Sequence, residues 1–328
     1  MTDTWTWATV TQASPLRIKV DGDTSALDAT TDNLVGSLAV DDRVRVHLHS
    51  DGIIVTGLQG GGNRSNPNLL INSNFMVNQR EAVSGATVAD GAHFLDQWKN
   101  SYVSPTSVIY WADSAGVRTI TLGYSGGARS IAQLIESQNT RAGSHTLSWS
   151  GTATGRIYNS GAAAPAYAAS PITVTLDGAA NGVVEFQGNG GTLADVKVES
   201  GTLATPYQPP PYAENLRACR RFYWRLTAVT GGAYSRMAQG FAMSTTVVAV
   251  MVSPPVPMRA IPTVTTSGSL GVYDGSTSIK GLTALVRSES GIDTIQLLCT
   301  TTGLTQFRPY QLLAYGDIDA FVAFDAGL

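Results

Sequence analysis

The chain has 328 residues, 43% of them hydrophobic and only 14% charged, with a formal net charge of -3 at pH 7. That length predicts two or three domains, and the charged fraction lies well below the roughly 25% of ordinary soluble chains. The slight negative balance gives no electrostatic case for a nucleic acid or an anionic membrane as partner, while 34 glycines suit many strands, tight turns and stability gained by assembly.

The opening MTDTWTWATV is acidic and aromatic, without an apolar h-region, so no signal peptide is expected. No apolar run is long enough to span a bilayer. Residues 1–60 read as a small OB-like β-barrel. Trp5 to Thr11 alternates, and so does Leu16 to Val20, with Arg17 and Lys19 on the wet face. Arg43 to Leu48 is the clearest strand, with Val44, Val46 and Leu48 facing in. Ser50-Asp51-Gly52 turns it into a hairpin with Ile53 to Leu58. His47 and His49 share a face of that strand and read as solvated edge histidines. Residues 61–67 form a glycine-rich linker that lacks the ending of a phosphate loop.

Residues 68–208 read as a jelly-roll β-sandwich, from short strands separated by Gly, Asn, Asp or Ser turns. SIAQLIE, Ser130 to Glu136, is taken as a strand because it is short and its neighbours are strands. Leu193 to Glu199 alternates, with Val196 and Val198 set against Lys197 and Glu199. Pro209, Pro210 and Pro211 favour extended geometry and a semi-rigid spacing. A short helix is expected over Ala213 to Arg221, with Glu214 in its first turn and Arg220 and Arg221 near its end.

Residues 209–328 complete an all-β architecture with a C-terminal β-sandwich. Its strands are expected at Tyr223 to Val229, Phe241 to Val252, Thr263 to Ser267, Gly271 to Tyr273, Ala284 to Ser288, Thr294 to Thr300 and Ala320 to Phe324. Pro257 and Pro262 confine VPMRAIPTV to a sheet edge or a strand entry, with Met258 and Ile261 packing inward. Cys219 and Cys299 lie far apart in no metal-like spacing; buried free thiols are the default, and a disulfide between them stays open.

Three motifs now stand in order: NLLINSNFMVNQRE from Asn68, KVESGTLATPY from Lys197 and ENLRACRRFYW from Glu214. Together they resemble the receptor-binding or tail-fibre proteins of tailed bacteriophages, which carry a jelly roll similar to carbohydrate-binding modules. Phe222 stands where that pattern usually has Tyr. VPMRAIPTV and the N-terminal WATVTQASPLRIKVDGD extend the resemblance, the latter towards phages of actinobacteria. The resemblance implies a structural virion protein at the tail tip or baseplate. It implies attachment to tail or baseplate proteins through residues 1–60, a homotrimer, a distal C-terminal tip over residues 209–328, and a host cell-surface glycan as target. Such a protein is made in the host cytoplasm and catalyses no reaction.

The candidate site residues are aromatic. Sugars offer CH faces to rings and hydroxyls to polar side chains. Tyr102, Tyr110, Trp111 and Tyr158 in the central region, and Tyr234, Tyr273 and Tyr310 in the C-terminal region, are the glycan-binding candidates, with trimer packing as the competing role. Trp98 and Trp149 read as core. Asp90, Asp96 and Glu199 supply hard oxygens for a calcium ion, which the carbohydrate-module resemblance makes conceivable. Glycoside hydrolysis needs two carboxylates about 5 to 10 Å apart; Asp90 with Asp96, or Asp317 with Asp319, are the pairs available. The alternatives to a fibre are therefore an envelope-degrading hydrolase of the tail apparatus or a stand-alone carbohydrate-binding module.

Overall fold

The computed structural model describes residues 4–13, 16–27, 31–33, 42–49, 52–58, 66–101, 107–123, 127–228, 232–276 and 278–327. Their regular secondary structure is almost entirely β, with one α-helix of 9 residues. They fall into two compact units.

One unit comprises residues 1–67 and 203–208. Its strands are β1 (Thr4–Ala13), β2 (Leu16–Val20), β3 (Thr31–Asn33), β4 (Arg43–His49) and β5 (Gly52–Leu58). They form one sheet in the order β2-β1-β4-β5-β3, antiparallel except where β3 lies beside β5. Period-two alternation puts Ala8, Val10, Ile18, Val20, Val44, Val46, Ile53 and Val55 on one buried face. On the other face His47 pairs with Trp5, and their rings stack at 4.3 Å. The edge placement expected for the two histidines is corrected: β4 lies in the middle of the sheet, between β1 and β5.

The other unit comprises residues 68–202 and 209–328. Its first part holds β6 (Thr87–Val88), β7 (His93–Leu95), β8 (Trp98–Asn100), β9 (Ser107–Ser114), β10 (Val117–Leu122) and β11 (Arg129–Ile135). It continues with β12 (Gly143–Ser150), β13 (Thr154–Asn159), β14 (Ile172–Leu176), β15 (Gly182–Gly188) and β16 (Gly191–Ser200). Two sheets, β14-β12-β16-β10-β9-β6 and β13-β15-β11-β8-β7, share one core in a sandwich. Trp98 and Trp149 are core residues, as read from the sequence. Phe75 packs on Trp98 at 4.9 Å, and Phe186 packs edge-on against Trp149 at 5.0 Å. Each indole is satisfied inside, with Trp98 Nε1 donating to the Asn72 carbonyl and Trp149 Nε1 to that of Ala153, both at 2.9 Å. Gly155 leaves room for this cluster: a Cβ there would meet both Phe186 and Trp149 at 2.9 Å.

The last part holds α1 (Tyr212–Arg220), β17 (Tyr223–Thr227), β18 (Arg236–Ala242), β19 (Val247–Val252), β20 (Thr263–Ser267) and β21 (Leu270–Tyr273). It ends with β22 (Lys280–Gly281), β23 (Ala284–Arg287), β24 (Ile295–Thr300), β25 (Pro309–Ala314) and β26 (Phe321–Asp325). A three-stranded sheet, β17-β26-β20, and a seven-stranded sheet, β22-β21-β25-β18-β19-β24-β23, share a second core. Strand β20 is an edge strand directly after Pro262, which cannot donate to a ladder. Met258 is buried as expected, but Ile261 is exposed.

The structure departs from or adds to the sequence reading at three further points. Phe241 to Val252 is a hairpin of β18 and β19 rather than one strand. Ser244 Oγ closes its turn by accepting the backbone N–H groups of Thr246 and Val247, both at 3.2 Å. Strand β25 was not anticipated, yet it sits between β21 and β18. Lys197 and Glu199, which alternate with valines in the sequence, are both buried and paired with each other at 3.2 Å.

The motif segment after Asn68 forms no strand; it is a set of turns tied to the rest of its unit by asparagine and glutamine side chains. Asn72 is fully buried, with its backbone at φ 52°. Its side chain donates to the carbonyls of Val77 and Asp96 and accepts from the Val77 N–H, each at 2.9 Å. Its own N–H donates to Asn215 Oδ1 on α1 at 2.8 Å. Gln79 grips the Asp96 carboxylate through its N–H and its side chain, and also donates to the Tyr223 carbonyl at 2.9 Å. Arg80 pairs with Asp325 at 2.9 Å and lies over the Tyr223 ring at 3.8 Å. The residues that carry the motif thus dock α1 and β17 onto the first sandwich. The chain after Pro211 packs through Asn215 and Cys219, both buried on α1. Cys219 and Cys299 are free and buried.

Candidate functional site

The outer face of the seven-stranded sheet is divided by its register into two rows. Tyr273 of β21, Gln311 of β25 and Gln239 of β18 are direct cross-strand neighbours. Side chains in register across antiparallel strands stand side by side on one face, so these three form a polar, aromatic row. Two residues further along β18, Phe241 with Ala249 of β19, Leu298 of β24 and Val286 of β23 forms an apolar row.

The polar row opens into two adjoining depressions. One, of about 600 Å³, is lined by Arg236, Gln239, Tyr273, Asp274, Tyr310 and Gln311 among others. Its neighbour, of about 530 Å³, is lined by Tyr234, Arg236, Tyr273, Ile279, Leu313 and Tyr315 with Ser278. Arg236 and Tyr273 belong to both, so the two read as one groove pinched at these side chains. Beside the groove, Gly240 lets β18 and β19 approach closely: a Cβ there would fall 1.9 Å from the Ala249 carbonyl oxygen.

The groove is held rigidly. Arg236 Nε donates to Gln311 Oε1 at 2.6 Å. The Tyr273 hydroxyl donates to the Ser276 carbonyl at 2.9 Å, and Asp274 Oδ1 accepts the Ser276 N–H at 2.9 Å. Asp274 Oδ2 pairs with Arg308 at 3.2 Å. The Ser276 hydrogen bonds, ahead of Arg308, hold the Asp274 carboxyl below the usual carboxylate range. Tyr234 is 54% and Tyr315 42% exposed, so two rings present open faces.

Of the sequence candidates, Tyr234 and Tyr273 come together in this groove. Tyr310 borders it but is buried at 3% exposure in the second core, its hydroxyl accepting the Thr305 N–H at 3.1 Å; it is a core residue, not a surface platform. Trp111 is half-buried against the first core, tilted on Phe94 at 6.4 Å. Tyr110 is exposed and lies against Gly85. Tyr158 donates to Glu185 at 3.2 Å, and Arg156 lies between that tyrosine and Tyr167, its guanidinium bound to the same carboxylate. That cluster satisfies itself. Tyr102 lies outside the described residues. Arg236, Gln311 and Tyr315 were missed. The one local signal was the spacing of Tyr234 and Arg236, two apart at a strand entry.

The carboxylate candidates separate. Asp90 is exposed on a turn, whereas Asp96 is buried and bound to Gln79. Burial pushes the Asp96 carboxyl up, and the Gln79 hydrogen bonds pull it back. Glu199 is committed to Lys197. Asp317 caps a turn, accepting the N–H groups of Ser269 and Asp319, both at 2.9 Å, and these lower its carboxyl. Among the described residues no group of three or more His, Cys, Asp or Glu side chains is placed to hold a metal ion. None of their helices is long and apolar enough to cross a membrane.

No protein-family model and no curated protein sequence matches the chain. Among solved structures it is similar to the N-terminal CBM22-1-CBM22-2 tandem domain from Paenibacillus barcinonensis Xyn10C. That match has 9% identity and a TM-score of 0.24, covering 80% of this chain and 97% of that one. It is also similar to a Paenibacillus sp. cycloisomaltooligosaccharide glucanotransferase complexed with cycloisomaltoheptaose, at 12% identity and a TM-score of 0.19. There it covers 75% of this chain and 46% of the other.

Proposed function

We propose that this chain binds a cell-surface glycan through the tyrosine-lined groove on its C-terminal sheet, and that it does so as a structural adhesion protein of a phage tail. The observation that carries the reading is the groove itself: exposed rings of Tyr234 and Tyr315 beside the fixed polar groups of Arg236, Gln239 and Gln311. Rings take up the CH faces of a sugar, and a few oriented polar groups set which hydroxyls are accepted. The virion assignment is supported by the three ordered sequence motifs. Two of these, NLLINSNFMVNQRE and ENLRACRRFYW, meet physically where α1 and β17 dock. In that setting residues 1–60 attach to the tail or baseplate.

Self-association as a homotrimer is part of the proposal. It is supported by the apolar outer row, in which Phe241 is 51% and Val286 53% exposed. Three copies raise avidity where single-site affinity is weak. The test is co-sedimentation of the full-length chain with host envelope polysaccharide, read together with reducing-end release. Binding without release supports the adhesion reading. Release of sugar that is lost on changing Asp90, Asp96, Asp317 or Asp319 to asparagine would move the protein to a hydrolase.

A further inference from the structure

Arg236 stands at the pinch of the groove, shared by both depressions. Its Nε is spent on Gln311, which aims the guanidinium and leaves its two terminal amino groups without a hydrogen bond or ion pair among the described residues. The acidic side chain that lines the same groove, Asp274, is already satisfied by Ser276 and Arg308. Its charge is therefore offset locally and does not neutralise Arg236. A guanidinium with two free donors, held by a neighbouring side chain, is the geometry that takes a carboxylate or phosphate bidentately. The rings of Tyr234, Tyr273 and Tyr315 lie around it, so the anion it fits is one carried on a sugar or polyol chain, not a free ion.

We infer that the groove selects an anionic glycan, with Arg236 binding a carboxylate or phosphate substituent while the tyrosines hold the adjoining units. This rests on the glycan-binding reading and names the ligand class of the same site. The two sources of that chemistry, a uronic acid and a polyol phosphate, present the same charge to Arg236.

The test is isothermal titration of the full-length chain, at low and high salt, with three probes: polygalacturonate, a poly(glycerol phosphate) polymer and neutral dextran. The variants are Arg236→Gln, Arg236→Lys and Tyr273→Ala, each checked for an unchanged unfolding midpoint. The expected result is binding of at least one anionic polymer, weakened by salt. Loss of a charge-assisted pair predicts about ten- to a hundredfold weaker binding in Arg236→Gln, with partial recovery in Arg236→Lys. Whichever anionic polymer binds identifies the source. Equal binding of dextran, or no change in Arg236→Gln while Tyr273→Ala weakens binding, overturns the anionic inference and leaves the glycan reading standing. Failure of the wild-type chain to bind all three probes and host envelope polysaccharide overturns both.

Discussion

Replacing Asn72 with alanine tests whether the turn segment after Asn68 is the structural hub that the hydrogen bonds describe. The substitution removes a side chain that is 0% exposed. It strands the Val77 N–H, the Val77 carbonyl and the Asp96 carbonyl. Each buried backbone group left without a partner costs about 1–3 kcal/mol. Asn72 is also in the left-handed region at φ 52°, where alanine is about 1 kcal/mol less favourable. Allowing for relaxation, the expected loss is about 4 kcal/mol or more, against a typical domain stability of about 5–15 kcal/mol. In urea, with a slope of about 2–3 kcal/mol/M, the midpoint should fall by about 1.3–2 M or more. Tryptophan fluorescence reports it directly, because Trp98 Nε1 donates to the Asn72 carbonyl. Asn74→Ala is the control. It gives up the Met76 N–H at 3.3 Å and Asn215 Nδ2 at 3.1 Å, and should cost about 1 kcal/mol. A shift below roughly 0.5 M for Asn72→Ala would refute the hub.

His93 should make stability depend on pH. Burial first, then the Arg80 guanidinium and Lys99, outweigh Asp325 and lower the imidazole to about 4. A depressed histidine stays neutral in the fold while the unfolded chain takes up a proton. Stability is therefore full above pH 6.5 and lost as the pH falls towards 4, by about 3 kcal/mol at most. His93→Gln should flatten that slope in urea titrations across this window. An unchanged slope would contradict it; the opposing effect of Asp96, whose carboxyl is pushed up by burial, is common to both proteins and cancels in the comparison. The two thiols give a simpler check. Burial pushes Cys299 up to about 12 and Cys219 higher still. Neither should react with a thiol reagent at pH 8 in the folded chain, and both should react in denaturant. Rapid labelling of the native protein would show that the cores are not closed as described.

Much of the fold was legible because most strands obey period-two alternation and end at turn residues. The boundaries of Leu16–Val20 and Thr263–Ser267 fall where the pattern places them. The failures have physical causes. Strand β25 begins with a proline and ends apolar on both faces, with Leu312, Leu313 and Ala314 all buried, so it shows no sustained alternation. The β18–β19 turn carries Met-Ser-Thr-Thr with no glycine or asparagine, and is closed instead by Ser244. Lys197 and Glu199 alternate with valines as though one face were wet, yet both faces of β16 are buried there. The candidate site was half legible. Tyr234 and Tyr273 stand beside polar neighbours in sequence and proved accessible. Arg236 reaches the groove from one part of the chain and Gln311 and Tyr315 from another, a juxtaposition that exists only through the strand order β21-β25-β18.

The most direct test of the central claim is the affinity of the full-length chain for host envelope polysaccharide, compared across the wild type, Tyr234→Ala with Tyr315→Ala, and Tyr158→Ala. Removing the two exposed groove rings should weaken binding by about tenfold or more at an unchanged unfolding midpoint. Tyr158→Ala, which touches only the self-satisfied Arg156–Glu185 cluster, should bind as the wild type does. Equal affinity in the groove variant, or loss confined to Tyr158→Ala, would place the glycan elsewhere on the molecule and contradict the account.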